Sequence, residues 1–268
     1  MTQSITAFIG AGNMARALIG GLVEAGQDPA TLRASDPVEA SRAAADALGV
    51  ATFEDNNRAI EDADVVVVAV KPQVAQAVVS ALTLTPRQLI ISICAGVTDG
   101  HLRAWTSSAQ PVVRCMPNTP ALLGAGITAL SANEHVDATQ ASLAEGLLSA
   151  VGSAVWVEQE AELDAVTAVS GSGPAYFFYL MEAMIESGKA LGLSDALATQ
   201  LTVDTALGAA RMARESGETP AQLRINVTSP GGTTEAALRT LDARDSRAAV
   251  VDALTAAAER ARELAKEL

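Results

Sequence analysis

A loop near the C-terminal end combines hydroxyl side chains with two glycines at the start of a predicted helix. The chain reads Thr228-Ser229-Pro230-Gly231-Gly232-Thr233-Thr234 and then continues in an apolar helical pattern. The first N–H groups of a helix have no internal partner and carry the positive end of the helix dipole. Glycines would let a carboxylate approach these groups, with hydroxyls available for a second polar atom. The alternative is an ordinary helix cap, in which a Thr or Ser side chain bonds to the free N–H groups and no ligand binds. Without other observations, the sequence of this loop favours the ordinary cap.

A second glycine loop lies near the N-terminus and supports a binding function. An apolar run at Ile5 to Ile9 leads into Gly10-Ala11-Gly12-Asn13-Met14-Ala15, and a helical pattern follows. Strand, glycine turn and helix in this order form the dinucleotide fingerprint, in which Gly10 makes the turn and Gly12 lets the backbone approach a pyrophosphate. Asp36 ends the next predicted strand, near the offset of about 20 residues at which ribose hydroxyls are bound. A purely structural strand–turn–helix unit is the weaker alternative.

Composition excludes several classes of protein. The net charge of −13 argues against nucleic acid as a partner, and no apolar run approaches the ~18 residues of a membrane helix. The first strand begins too early to leave room for a signal peptide, so we expect a cytoplasmic protein. Cys94 and Cys115 are far apart and predict buried, reduced thiols, and two histidines make a histidine-based metal site improbable. We therefore expect no metal.

The first half of the chain alternates short apolar strands with helices. Strands this uniformly apolar are buried on both faces, which predicts a mainly parallel sheet covered by helices. The fold class is therefore α/β, with a doubly wound Rossmann domain at the N-terminus. The predicted strands are Ile5 to Ile9, Leu32 to Ser35, Val50 to Phe53, Val65 to Val70, Leu89 to Ile93, Val112 to Cys115, Ile127 to Leu130 and Val155 to Val157.

After Trp156 the pattern is helical throughout. We expect a dinucleotide-binding domain over residues 1–160 and a helical domain for dimerisation and substrate binding over residues 161–268. Apolar residues make up 49 % of the chain and charged residues only 18 %. Such a composition predicts a large helical surface buried against another subunit. The predicted helices are 162–169, 175–191, 195–215, 220–227, 234–241 and 244–266.

Three further loops follow predicted strands: Ala69-Val70-Lys71-Pro72, Cys94-Ala95-Gly96 and Met116-Pro117-Asn118-Thr119-Pro120. Ligands of open α/β sheets bind outside the carboxyl ends of the strands, so these loops should face the glycine turn across one crevice. Lys71 could contact a phosphate or be a solvated loop lysine. Asn118 lies in a stiff turn that could fix a nicotinamide or be purely structural.

The whole chain resembles the pyrroline-5-carboxylate reductase family. The resemblance rests on the glycine turn, the loops at Ala69 and Met116, Ser170-Gly171-Ser172-Gly173-Pro174-Ala175-Tyr176 and, above all, the Ser229–Thr234 loop. From residues alone, the segment at Ser170 would be a domain hinge with a helix cap. The family implies an N-terminal Rossmann domain and a helical domain that interlaces into a dimer, often with five dimers in a ring. It also implies that substrate lies between the nicotinamide and the Ser229–Thr234 loop, with the partner's helical domain closing the site.

The reaction implied is the reduction of Δ1-pyrroline-5-carboxylate to L-proline by NAD(P)H, the last step of proline biosynthesis. A protonated cyclic imine is already electrophilic, so hydride transfer needs positioning and little acid catalysis. The substrate carboxylate is assigned to the N–H groups of Gly231, Gly232 and Thr233 with Ser229, and Thr234 would contact the ring nitrogen as the catalytic residue. The expected cofactor-binding residues are Gly10, Gly12, Asn13, Met14, Ser35, Asp36, Asn56, Ala69, Val70, Lys71, Pro72, Ala95 and Asn118.

NADPH is the expected coenzyme, with NADH also used. Ser35 and Asn56 could hold a 2′-phosphate, whereas Asp36 would accept from ribose hydroxyls and repel that phosphate. Arg33 points with Ser35 along the strand, and Arg42 could reach the ribose or be a surface charge.

Two other functions stay open. A reductase of the β-hydroxyacid dehydrogenase type would share the fold but would depend on a catalytic lysine in the helical domain. The two lysines after residue 160 are Lys189 and Lys266. Both lie outside glycine-rich motifs, which weighs against this alternative. A non-catalytic dinucleotide sensor is the other alternative.

Overall fold

The computed structural model describes residues 4–268, so the first three residues of the expected 1–160 domain lie outside it. The chain forms two compact units, the first of which continues to Ser172 and also includes Ala257–Leu268, while the second is Gly173–Ala256. The expected boundary at residue 160 precedes this division. The helix that follows residue 160 still packs on the sheet, where Leu163 is fully buried.

The first unit is built on one eight-stranded sheet. Its strand order is β3-β2-β1-β4-β5-β6-β7-β8, and every neighbouring pair is parallel except β6 with β7, which is antiparallel. This confirms the expected doubly wound, mainly parallel sheet. The strands are β1 Thr6–Ile9, β2 Leu32–Ser35, β3 Ala51–Phe53, β4 Val65–Val68, β5 Leu89–Ser92, β6 Val112–Met116, β7 Gly126–Ala132 and β8 Gly152–Trp156.

Helices cover the sheet because its apolar strands are buried on both faces. All four residues of β4 and of β5 are buried, as two-sided packing requires. Alternate side chains of the strands enter different apolar clusters: Phe8 and Val67 pack with α1, whereas Ile9 and Val66 pack with α3. The helices of this unit are α1 Asn13–Glu24, α2 Glu39–Asp46, α3 Asn56–Ile60, α4 Pro72–Ser80, α5 Asp99–Trp105, α6 Ala138–Ser149 and α7 Glu162–Val166, with 3₁₀ turns at Pro29–Thr31 and Thr119–Leu123.

The first unit ends in a wide helical turn. The predicted helix over 162–169 continues from α7 into a π-helical segment, Thr167–Gly171, in which Ser172 N donates to Thr167 O at 2.8 Å. Such wide turns are found mostly as single insertions in helices and are frequent at functional sites. This one immediately precedes the first helix of the second unit in the chain.

The second unit is entirely helical and has a very small core of its own. Its buried side chains include Ala198 and Thr202 of α9, while large apolar side chains such as Tyr179 (76 % exposed) and Leu207 (61 % exposed) face outward. Its helices are α8 Gly173–Ala190, α9 Asp195–Glu215, α10 Pro220–Asn226, α11 Thr233–Ala243 and the first part of α12, Ser246–Lys266. Over residues 4–268, none of the helices is both long and apolar enough to cross a membrane.

We predict that the chain associates with itself through this helical unit. Apolar side chains exposed in such number are rare on monomers, and burying them against a second copy would remove them from water. Light scattering at micromolar concentration should therefore give a mass of at least twice 27.4 kDa. A mass of a single chain under these conditions would contradict the prediction.

Candidate active site

The turn after β1 is shaped by a glycine that has no room for a side chain. Gly10 has a φ of +95°, and a Cβ there would lie 2.7 Å from Ala69 O. Its N–H donates to Ser35 O at 2.8 Å, and Ala69 N donates to Ile9 O at 2.8 Å. The loops after β1, β2 and β4 are therefore in direct contact at one edge of the sheet.

Gly12 differs from Gly10, because it faces open space. It is exposed, its backbone is extended, and a Cβ built on it would meet nothing within 4 Å. Gly12 precedes the first residue of α1, and no side chain among the described residues caps that helix end. Asn13 accepts from Arg16 at 2.6 Å, while Met14 packs against the core. The uncapped N–H groups and the open space fit a pyrophosphate.

The loops after β4 and β5 are joined by a thiol. Cys94 Sγ donates to Val70 O at 3.1 Å, and burial raises the pKa of this thiol to about 11, so it is a protonated donor at neutral pH. Ala95 follows it and is half-buried. Lys71 is exposed at the start of α4, and Pro72 occupies the first helical position, where its missing N–H costs nothing. These five residues lie at the same edge of the sheet as the glycine turn.

The carboxylate of Asp36 is held by two backbone amides. Asp36 Oδ2 accepts from Ala11 N at 2.9 Å, and Oδ1 accepts from Val38 N at 2.9 Å. Ser35 is fully buried, and its hydroxyl donates to Asn56 Oδ1 at 2.7 Å. The expected residues at the end of β2 are thus brought together. The bond between Asp36 and the glycine turn was not foreseen from the sequence.

Both polar atoms of the Asn118 side chain are used within the first unit. The residue is buried, its Oδ1 accepts from Ile127 N at 3.0 Å, and its Nδ2 donates to Ser170 O at 3.2 Å. Asn118 therefore ties the loop after β6 to β7 and to the π-helical segment. This contact favours the structural interpretation of its stiff turn over a side-chain contact with nicotinamide.

The Ser229–Thr234 loop of the second unit already holds a carboxylate. Gly231, at φ +72°, donates its N–H to Glu235 Oε2 at 2.7 Å, and Gly232 N donates to Ser229 O at 3.0 Å. Gly232 is the N-cap residue of α11, and no side chain of residues 4–268 donates or accepts a capping hydrogen bond there. The ordinary cap by Thr or Ser, which the sequence of the loop favoured, is therefore not formed. Glu235 was not predicted as part of this loop, although an acidic residue at the third helical position is a recognised signal for such a bond.

The hydroxyls of this loop differ in exposure. Ser229 and Thr233 are exposed, whereas Thr234 is half-buried on the first turn of α11. Thr228 Oγ1 donates to Arg224 O, a backbone carbonyl of α10, at 2.6 Å, so this hydroxyl already has a hydrogen-bond partner. Three hydroxyls thus remain near the start of α11.

Three other groups with reactive side chains, a lysine, a histidine and a cysteine, are paired or buried within the protein. Lys189 pairs with Asp195 at 2.7 Å, and this hydrogen bond raises the pKa of the lysine. His101 closes a capping box with Thr98 and stacks on Trp105. Cys115 is buried, which raises the pKa of its thiol, and the described residues contain no cluster that could hold a metal ion.

The similarity of this chain to known proteins is consistent with the fold and covers the whole chain. A family model described as pyrroline-5-carboxylate reductase dimerisation matches residues 160–264, and one described as NADP oxidoreductase, coenzyme F420-dependent, matches residues 5–96. A pyrroline-5-carboxylate reductase of Pseudomonas aeruginosa is 55 % identical over 271 residues, covering 100 % of this chain and 99 % of its own length.

Two solved structures have the same fold. A pyrroline-5-carboxylate reductase of Coxiella burnetii is 44 % identical with a TM-score of 0.92, covering 97 % of this chain and 98 % of its own. A pyrroline carboxylate reductase of Plasmodium falciparum, solved with NADP bound, is 29 % identical with a TM-score of 0.88, covering 99 % of both chains. The chain therefore belongs to the pyrroline-5-carboxylate reductase family.

Proposed function

We propose that this chain reduces Δ1-pyrroline-5-carboxylate to L-proline with NADPH, or with NADH, as the last step of proline biosynthesis. The observation that carries the proposal is the match to the Pseudomonas enzyme, which covers the whole chain at 55 % identity. A second observation in support is that each of these loops leaves a helix end without a side-chain cap.

The first unit binds the coenzyme, whose nicotinamide supplies the hydride when bound. The first N–H groups of α1, at Asn13 and Met14, take the pyrophosphate, and Gly12 leaves it room. The loops at Ala69–Pro72 and Ala95 border the same edge of the sheet and line the nicotinamide half, with Lys71 as a cation for phosphate. Asn118 contributes by fixing its loop, since its side chain is already bonded.

The second unit binds the substrate carboxylate. The carboxylate accepts hydrogen bonds from Thr233 N–H and from the Ser229 hydroxyl, and it replaces Glu235 on Gly231 N–H. Gly232 keeps its own N–H on Ser229 O and contributes by letting the substrate approach the backbone.

Thr234 positions the substrate ring. Its hydroxyl forms a hydrogen bond with the ring nitrogen. The protonated imine accepts the hydride at carbon, the C=N double bond becomes a single bond, and the nitrogen keeps its proton. The amine then takes a second proton from water, so the residues of this loop need not act as strong acids.

Self-association completes the proposal. The chain forms dimers through the helical unit, and a ring of five dimers is the finer arrangement, which rests on the family resemblance. Two free, buried thiols are typical of the cytoplasm, and the net charge of −13 supports a small-molecule substrate without nucleic acid or a membrane as a partner.

The activity can be tested with purified protein. Loss of nicotinamide absorbance should occur with NADPH and Δ1-pyrroline-5-carboxylate, and no gain of this absorbance should occur with NAD⁺ and 3-hydroxyacids. Turnover of hydroxyacids alone would favour a β-hydroxyacid dehydrogenase, and binding of coenzyme without any turnover would favour a sensor.

Gly12→Val should abolish coenzyme binding without unfolding the protein. The new side chain would enter open space that the pyrophosphate needs, and the extended backbone of Gly12 tolerates any residue. Gly20→Val is the matched control, because Gly20 lies on the same helix and also faces open space. We expect nicotinamide fluorescence enhancement to be lost in the first variant and kept in the second. Enhancement retained by Gly12→Val would contradict the placement.

Thr234→Ala should lower kcat/KM for the imine by roughly 10- to 1000-fold, the range for one hydrogen bond to a charged or developing centre. Coenzyme affinity should be unchanged. Thr240→Ala is the control, since that hydroxyl lies on the same helix but donates to Ala236 O. If Thr234→Ala had the same kcat/KM as the unchanged protein, the proposed role of Thr234 would be wrong.

A further inference from the structure

We propose that Arg42 selects NADPH over NADH by binding the 2′-phosphate of the adenosine ribose. This inference rests on the dinucleotide site of the proposed function and adds a residue that determines its specificity. It is drawn from four sets of contacts at the end of β2.

The end of β2 lies beside the glycine turn. Ile9 and Ser35 are paired in the sheet, Gly10 N donates to Ser35 O, and Asp36 N donates to Phe53 O at 3.1 Å. In a Rossmann domain this strand end meets the adenosine ribose, where an acidic residue binds the 2′-hydroxyl or an arginine accommodates a 2′-phosphate. Asp36 and Arg42 are the residues of these two types at this strand end.

Asp36 is committed to the backbone. Each of its carboxylate oxygens accepts one amide N–H, from Ala11 and from Val38, at 2.9 Å. These bonds hold the carboxylate under the turn and spread its charge over two donors. Each oxygen keeps a further acceptor site, so Asp36 can still accept from a ribose hydroxyl, and selection of a 2′-phosphate requires a cation beside it.

Arg42 lies at the same strand end and has unused donors. Its Nη1 donates to Asp36 O at 2.8 Å and to Pro37 O at 3.0 Å, so the side chain reaches back from α2 to the end of β2. A guanidinium carries five N–H donors in a fixed fork, and Nη1 supplies only two of them. Over residues 4–268, the ion pairs of the structure include six other arginines but not Arg42. The free side of the fork is suited to a phosphate, which it can bind through two hydrogen bonds.

Asn56 adds a neutral donor to this corner. Because its Oδ1 accepts from Ser35, its Nδ2 is the amide atom left to donate. Donors therefore predominate around the position of the ribose 2′-oxygen. A 2′-phosphate satisfies several donors at once, whereas a hydroxyl satisfies one.

Arg33, which lies on β2 itself, provides a matched control for Arg42 on α2. Its Nη1 also donates to backbone carbonyls, those of Ala59 and Glu61 at the end of α3. It therefore has the same chemistry as Arg42 but is directed away from the ribose position.

The test is a fluorescence titration of the full-length protein with NADPH and with NADH. Arg42→Ala should raise the Kd for NADPH by roughly 10- to 100-fold, the range for a hydrogen bond between charged groups, and leave the Kd for NADH within about twofold. Arg33→Ala should change the two Kd values equally or not at all. Calorimetry with adenosine 2′,5′-bisphosphate should give the same loss in Arg42→Ala, and AMP should bind both proteins alike.

Two outcomes would overturn the proposal. An equal loss for NADPH and NADH in Arg42→Ala would mean that the residue only supports the loop, and unchanged NADPH affinity would mean that it does not reach the phosphate. Failure of the proposed function is distinguishable, because these titrations need no substrate: a protein that discriminates the coenzymes through Arg42 but does not reduce the imine would refute the reaction alone.

Discussion

The arrangement of the loops after β1, β2 and β4 depends on one steric constraint, the absence of space for a side chain at Gly10. The chain must reverse after β1 while the loop after β4 passes close enough for Ala69 O to touch the position of a Cβ. With a glycine there, the backbone can donate to Ser35 O and bring three loops together. Asp36 then fixes the next residue, Ala11, so that the turn presents Gly12 outward. The open space at Gly12 is thus a result of the close packing at Gly10.

The parts of the fold that follow from periodicity could be predicted from the sequence. The strands of the sheet and the long helices α8, α9 and α12 carry enough residues for an apolar period to be recognised. The short helices α3 and α5 do not, and the pattern over 162–169 predicts a regular helix where the structure has α7 followed by the π-helical segment Thr167–Gly171. The starts of α3 and α5 are marked only by local caps, Asp55 and Thr98, and so few residues follow that no apolar period can be recognised.

The candidate site shows the same division. The two glycine loops, and the position of Asp36 after its strand, follow from residue type and spacing. The partners of the polar side chains do not, since Asp36 binds Ala11 and Asn118 binds Ser170 across long stretches of chain. Those contacts join loops that are far apart in the chain, and residue type and spacing do not indicate them. Glu235 is the exception, because its bond to Gly231 is local and its position on the helix could have indicated it.

The last turns of α12 make the helical unit an insertion within the first unit. Ala257–Leu268 belong to the sheet-containing unit, where Ala261 is buried and Leu268 joins the apolar cluster around Cys94 and Val97. A Cβ on Gly96 would lie 3.4 Å from the backbone of Leu264 and Ala265, so this C-terminal segment covers the loop after β5. Domains at the N-terminus of a chain usually fold during synthesis, before the rest is made. Here the first unit includes residues that follow the whole helical unit in the chain, so it can complete its fold only after the helical unit has been synthesised.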